Sequence, residues 1–175
     1  MIKCIVVIAL FILAACGPGK KKADTEVLKF LGTDFVTSEN QKQLLDSLFQ
    51  NKDYVLVLYL EPSQCVPCSL IKVTMFSYHA DMLAESKTDV CLLLSTQGNE
   101  EKEEILSRIS QMDLFYAHLF DENNSSVSNN KYLKNPLCQT FVIDKNYRVI
   151  WVGNPIRSEE SIKLYTEMIL KLRES

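Results

Sequence analysis

The chain has 175 residues, 47% of them hydrophobic, 23% charged, and a formal net charge of −3. That is an ordinary globular composition, long enough to bury a core without disulfide staples, so its six cysteines are not needed as cross-links. The slightly acidic balance gives no reason to expect a nucleic-acid partner.

At the N-terminus, Lys3 precedes an apolar run from Cys4 to Ala15. The run is too short to span a bilayer as a helix and reads as a signal peptide. Leu13-Ala14-Ala15-Cys16 resembles the lipobox of bacterial lipoproteins, in which cleavage before the cysteine leaves it lipidated at the new N-terminus. Residues 1–15 are thus expected to be removed and Cys16 to carry the lipid. Residues 16–25, with Lys20-Lys21-Lys22, are expected to form a lipidated N-terminus and solvated tether to a domain over 26–175. Export places that domain on the periplasmic side of a bacterial envelope, where disulfides persist. Gly17 after the lipidated cysteine, in place of an acidic residue, leans toward the outer membrane.

Along the domain, Glu26 to Val36 is expected to hold a short strand or two. Ser38-Glu39-Asn40-Gln41 has the form of a capping box, and Leu44, Leu45, Leu48 and Phe49 recur at helical spacing after it. Tyr54 to Leu60 is a near-continuous apolar run that suits a central strand covered on both faces. From Pro67 to about Ser86 the apolar spacing fits a long helix, with Pro67 tolerated in its first turn. Asp89 to Ser95 reads as a buried strand in which Cys91 is a small hydrophobe. A helix capped by Asn99 follows, with Glu100, Glu101, Glu103 and Glu104 at its positive end. Leu114 to Phe120 reads as a strand, Asp121 to Ser126 as a loop, and Tyr132-Leu133 as a short helix. Gln139 to Asp144 and Tyr147 to Val152 flank the polar turn Lys145-Asn146 as a hairpin packed by Trp151 and Tyr147, and Ser158 caps a last helix. Strands alternating with helices, then a hairpin and a closing helix, imply an α/β sandwich with a mixed central sheet.

The chemistry is carried by Cys65-Val66-Pro67-Cys68, a C-x-x-C between the 54–60 strand and the following helix. Cys65 near that helix's N-terminus meets unpaired N–H groups and the positive end of the helix dipole, which favour a thiolate; it is the candidate nucleophile. Cys68, further into the helix, is the candidate resolving thiol. A zinc site would need a second C-x-x-C or H-x-x-x-H, which the sequence lacks. His79 lies too far along its helix to serve Cys65, and His118 reads as a packed or half-exposed strand residue.

The order of elements around this motif resembles the thioredoxin fold, and more closely the TlpA-like group of exported or membrane-tethered thiol–disulfide proteins. The resemblance rests on the strand–Cys65-Val66-Pro67-Cys68–helix unit, on Phe120-Asp121-Glu122-Asn123-Asn124, and on Thr140-Phe141-Val142-Ile143-Asp144 leading to Arg148 through Pro155. It implies a three-layer αβα sandwich, exchange of protein disulfides through Cys65 and Cys68 with Val66 and Pro67 as the active-site loop, and a membrane redox donor or acceptor. It implies no bound cofactor or metal.

Three positions depart from the pattern of that group. Gln64 stands where an aromatic residue usually precedes the first cysteine, and the strand position of the usual buried acid is apolar or Tyr59. Cys138 aligns with the usual cis-proline opposite the cysteine pair, with Pro136 two residues earlier. Either Pro136 serves or Cys138 faces Cys65 over a trans peptide, with Gln64, Cys138, Gln139 and Thr140 lining an altered substrate groove. A third thiol there would permit an alternative disulfide or a soft-metal site. The alternative function is therefore a non-catalytic binding or scaffold lipoprotein, or a thiol-based metal binder. A thiol peroxidase needs a longer Pro-x-x-x-Thr/Ser-x-x-Cys setting than Pro62-Ser63-Gln64-Cys65 provides.

Overall fold

The computed structural model describes residues 20–61, 83, 86–96, 99–111, 116–122 and 125–174. Five strands form one sheet: β1 (Tyr54–Leu60), β2 (Thr88–Thr96), β3 (Ala117–Glu122), β4 (Thr140–Asp144) and β5 (Val149–Val152), in the order β3-β2-β1-β4-β5. The first three run parallel; β4 is antiparallel to β1, and β5 to β4. The described helices are α1 (Lys20–Phe30), α2 (Glu39–Phe49), α3 (Asn99–Gln111), α4 (Ser125–Asn129) and α5 (Glu159–Arg173), with 3-10 turns at Lys131–Lys134 and Pro136–Cys138. The expected mixed-sheet α/β architecture is what forms.

Side chains alternate across a strand, and here both faces of the sheet are apolar and covered. Leu56 and Leu58 of β1, with Val90 and Leu92 of β2, pack against Ile105 and Ile109 of α3, Tyr165 and Ile169 of α5, and Leu83. Val55, Val57 and Tyr59, with Cys91 and Leu93, pack on the other face against Phe30 of α1, Leu45 and Phe49 of α2, Leu133 and Cys138. Every β1 residue except Leu60 is buried. Each such apolar side chain stabilises the fold by about 1.5–3 kcal/mol, so this two-sided strand anchors the whole sheet.

The sequence boundaries shift in several places, among them Ser125 and Ser126, read as loop, which open α4, and Tyr116, read as strand, which lies before β3. Glu26 to Val36 does not form strands; 26–30 belongs to α1, which begins at Lys20, inside the segment read as a tether. The reason is spacing: Val27 and Phe30 lie three apart, on one helical face turned to the core, and Gly32 at φ +81 then ends the helix. All that remains of pairing is the single bridge between Asp34 and Arg148. Asp121 and Glu122 extend β3 rather than starting a loop, because their backbones pair with Ser95 and Thr96. The outer hairpin strand starts at Val149, since Tyr147 takes a left-handed conformation at φ 61 that strand pairing excludes. Tyr147 still packs edge-on against Phe49 and donates its hydroxyl to Asp46 at 2.6 Å, while Trp151 packs edge-on against Tyr165.

The caps expected at Ser38 and Ser158 form, whereas Asn99, read as a cap, is itself the first residue of α3. Ser38 Oγ accepts from Gln41 N at 3.4 Å and Gln41 Oε1 accepts from Ser38 N at 3.0 Å. Gln41 is itself buried, donating to Ser126 Oγ at 3.2 Å, so this cap also ties α2 to α4. Ser158 caps α5 through Ser161 N at 3.2 Å. Replacing Ser38 by Ala removes one half of a reciprocal cap and is expected to destabilise the protein by about 1 kcal/mol, read as a lower urea midpoint at unchanged m-value.

Candidate functional site

In an open sheet with parallel strands, ligands and substrates meet the protein at the carboxyl ends of those strands. Here that edge carries Leu60 at the end of β1 and Glu61 after it, Ser95 and Thr96 of β2, Asp121 of β3, and the residues that enter β4. β4 is antiparallel, so its first residues, Cys138, Gln139 and Thr140, come to the same edge. Thr140 pairs with Leu58, and the Gln139 carbonyl accepts from Tyr59 N at 2.7 Å.

Gln139 is held by several hydrogen bonds. Besides its carbonyl bond, its Nε2 donates to Glu61 Oε1 at 2.7 Å and to the Leu133 carbonyl at 3.1 Å. The exit of β1 and the entrance of β4 are thereby joined through a nearly buried amide. The loop before it is organised by Asn135, whose Oδ1 accepts from Leu137 N at 3.1 Å and whose Nδ2 donates to Glu26 Oε2 of α1 at 2.8 Å. Asn135 also offers its carbonyl to Cys138 N at 2.8 Å.

A buried acid and a buried phenol belong to this edge. Asp121 is fully buried, and its carboxylate accepts from Ser125 Oγ at 2.6 Å and from Ser126 N at 2.9 Å, which makes it the cap of α4. Tyr59 is buried too; desolvation raises its phenol pKa, its hydrogen bond with Ser95 pulls the other way, and the Asp121 and Glu61 carboxylates add to the rise. The phenol is therefore neutral at physiological pH. Nearby, Asn130 exchanges hydrogen bonds with the backbone of Val36, both at 2.8 Å, which fixes the chain leading into α2.

Of the residues singled out in the sequence, Cys16, Gln64, Cys65, Val66, Pro67, Cys68 and His79 lie outside the described residues. Cys138, Gln139 and Thr140 are consecutive at the entrance to β4. Cys138 is wholly buried, among the side chains on the α1 and α2 face, and burial pushes its thiol up to about 11, with Glu26 adding to the rise. Pro136, the other residue considered for the cis-proline position, is exposed at the first position of a 3-10 turn, and the described chain contains no cis peptide bond. Cys91 is buried in β2 and pushed up to about 12 by desolvation, as suits a core hydrophobe. His118 is exposed, edge-on to Phe120 at 5.9 Å. Among the described residues no group of three His, Cys, Asp or Glu side chains is placed to hold a metal ion, and no helix is long and apolar enough to cross a membrane. The Gln139–Glu61 and Asn135–Glu26 bonds were not legible beforehand, because partners 78 and 109 residues apart leave no local pattern.

No family model matches the sequence, and no curated protein matches it. Solved structures do match. A solution structure from Bacteroides vulgatus, named as a proposed thiol-disulfide oxidoreductase, aligns with a TM-score of 0.50 over 71% of this chain and 79% of its own, at 13% identity. The fold is thioredoxin-like. A crystal structure from Chlorobium tepidum, named as a proposed thiol:disulfide interchange protein DsbE, aligns at 0.48 over 71% of this chain and 84% of its own, at 15% identity. The thioredoxin domain of a second Bacteroides vulgatus thiol-disulfide oxidoreductase aligns at 0.46, covering 79% and 91%, at 11% identity.

Within this thioredoxin-like frame, Cys138 behaves as a buried, protonated thiol. A rise from 9.0 to about 11 lowers the thiolate fraction at pH 8 about 100-fold, before any loss of access is counted. Alkylation of the native protein at pH 8, mapped by mass, is expected to label Cys138 at least 100-fold more slowly than the same residue in urea.

Proposed function

We propose that this chain is a thiol–disulfide oxidoreductase of a bacterial cell envelope, anchored through a lipid on Cys16 and working through Cys65 and Cys68. The observation that carries the reading is the thioredoxin-like sheet, whose central strand β1 runs directly into the C-x-x-C segment. Cys65 is four positions after Glu61, a covalent reach of at most about 14 Å from the edge formed by Glu61, Gln139 and Thr140. That edge then supplies the backbone and polar side chains against which a substrate polypeptide lies, with Gln139 clamped in place.

In the reducing direction the Cys65 thiolate attacks one sulfur of a substrate disulfide. The new Cys65–substrate bond forms as the old one breaks, and the departing substrate thiolate takes up a proton. Cys68, as thiolate, then attacks the Cys65 sulfur, closing Cys65–Cys68 and releasing the second substrate thiol. The substrate gains two electrons, the protein loses two, and a membrane donor must return them. The oxidising direction is the same sequence reversed.

Three measurements test this. In thiol/disulfide buffers, with free cysteines trapped and mapped by mass, Cys65 and Cys68 are expected to titrate as one couple between roughly −300 and −120 mV. A bond stable well below that range would make the pair structural. Cys65→Ser is expected to abolish insulin reduction, whereas Cys68→Ser is expected to accumulate a mixed disulfide on Cys65. Fatty-acid labelling of cells is expected to mark the wild-type chain and to be lost in Cys16→Ser.

A further inference from the structure

We infer that the site edge of the sheet faces the membrane, so that the partner is a thiol- or disulfide-bearing protein at the same bilayer surface. The inference rests on the reading of Cys16 as a lipid anchor and adds to it a direction, which comes from α1. Two contacts place the helix along the sheet. Glu26 accepts from Asn135 at 2.8 Å, beside the 3-10 turn that feeds Gln139 and Thr140, hence at the site edge. After the helix ends, Gly32 N donates to the Val149 carbonyl at 2.7 Å, and Val149 pairs with Ile143 toward the opposite edge. Helix and sheet agree in length: Glu26 to Gly32 rises about 9 Å along a helix, and Thr140 to Ile143 covers about 10 Å of strand. So α1 descends from the site edge toward the hairpin turn, and its first residues project beyond the site edge.

The lower end of this helix is fixed to the domain. Phe30 is buried, with its ring 5.2 Å from those of both Tyr132 and Phe141, and Arg148 donates to the Gly32 carbonyl at 3.1 Å. The chain reaches Lys20 about 9 Å above Glu26, and Cys16 is four residues further, at most about 14 Å of chain. The covalent reach keeps a lipid on Cys16 within about 25 Å of Glu26. Lys20, Lys21 and Lys22 occupy the first turn of α1, next to the anchor, where anionic head groups attract them. A flexible tether over 16–25 would let the domain turn freely; a helix clamped at Glu26 and Phe30 does not.

The test uses the full lipidated chain, carrying Cys65→Ala and Cys68→Ala, in vesicles of phosphatidylethanolamine and phosphatidylglycerol with a rhodamine head-group acceptor. A donor dye is placed at Leu137→Cys, exposed on the site edge, or at Asn146→Cys, exposed in the hairpin turn at the other end. Energy transfer to the membrane is expected to be at least two-fold greater from 137 than from 146. A flexible 30-residue Gly/Ser insertion between Gly19 and Lys20 is expected to erase the difference. Equal or reversed transfer in a membrane-bound chain overturns the orientation and leaves the anchor standing, and a difference that survives the insertion removes α1 as its cause. A chain that stays off the vesicles and lacks lipid mass on Cys16 overturns anchor and orientation together. The cysteine-pair chemistry is read separately, by redox titration of the chain with Cys65 and Cys68 intact.

Discussion

Everything in this fold hangs on strand β1 being hydrogen-bonded on both sides and covered on both faces. β2 pairs with it in parallel from Tyr54–Thr88 to Leu60–Leu94, and β4 pairs with it antiparallel from Tyr54–Asp144 to Leu58–Thr140. A strand with no solvent-facing side must satisfy every backbone group within the sheet, so its register is strongly specified. The bond from Tyr59 N to the Gln139 carbonyl continues the ladder one step beyond the paired strands. That step delivers Glu61 and Gln139 to a common edge.

The edge itself is polar where the body of the sheet is apolar. Each buried polar group named there has a partner: Asp121 caps α4, Gln139 bridges Glu61 and Leu133, and Gln41 bridges Ser38 and Ser126. A buried polar group left without a partner costs about 1–3 kcal/mol, so these bonds act as constraints on loop geometry as much as sources of stability. Asp121 illustrates the division of labour. With both carboxylate oxygens accepting from α4, it is committed to holding that helix. Tyr59, raised by burial and by two carboxylates, remains protonated at the same edge.

Helix α1 links the edge to the N-terminal segment. Its Glu26 meets Asn135 and its Phe30 reaches into the core beside Phe141, so the helix is part of the domain rather than a lead-in to it.

By itself the sequence determined the element types wherever periodicity or a cap was strong. The apolar run of β1, the capping box at Ser38, the hairpin around Lys145-Asn146 and the Ser158 cap are local patterns, enforced by backbone hydrogen bonding and by burial of one face. Cys91 was legible as core for the same reason. It also supplied the C-x-x-C, the lipobox-like stretch and the alignment of Cys138 with a groove position. Only the tertiary structure decided that 26–30 is helical, because Val27 and Phe30 gain their advantage from a core that local spacing does not reveal. It also decided that Cys138 turns into that core and that Gln139 clamps Glu61. Both follow from contacts between segments far apart in the chain, whose energies depend on where the sheet brings them and leave no periodic trace in the sequence.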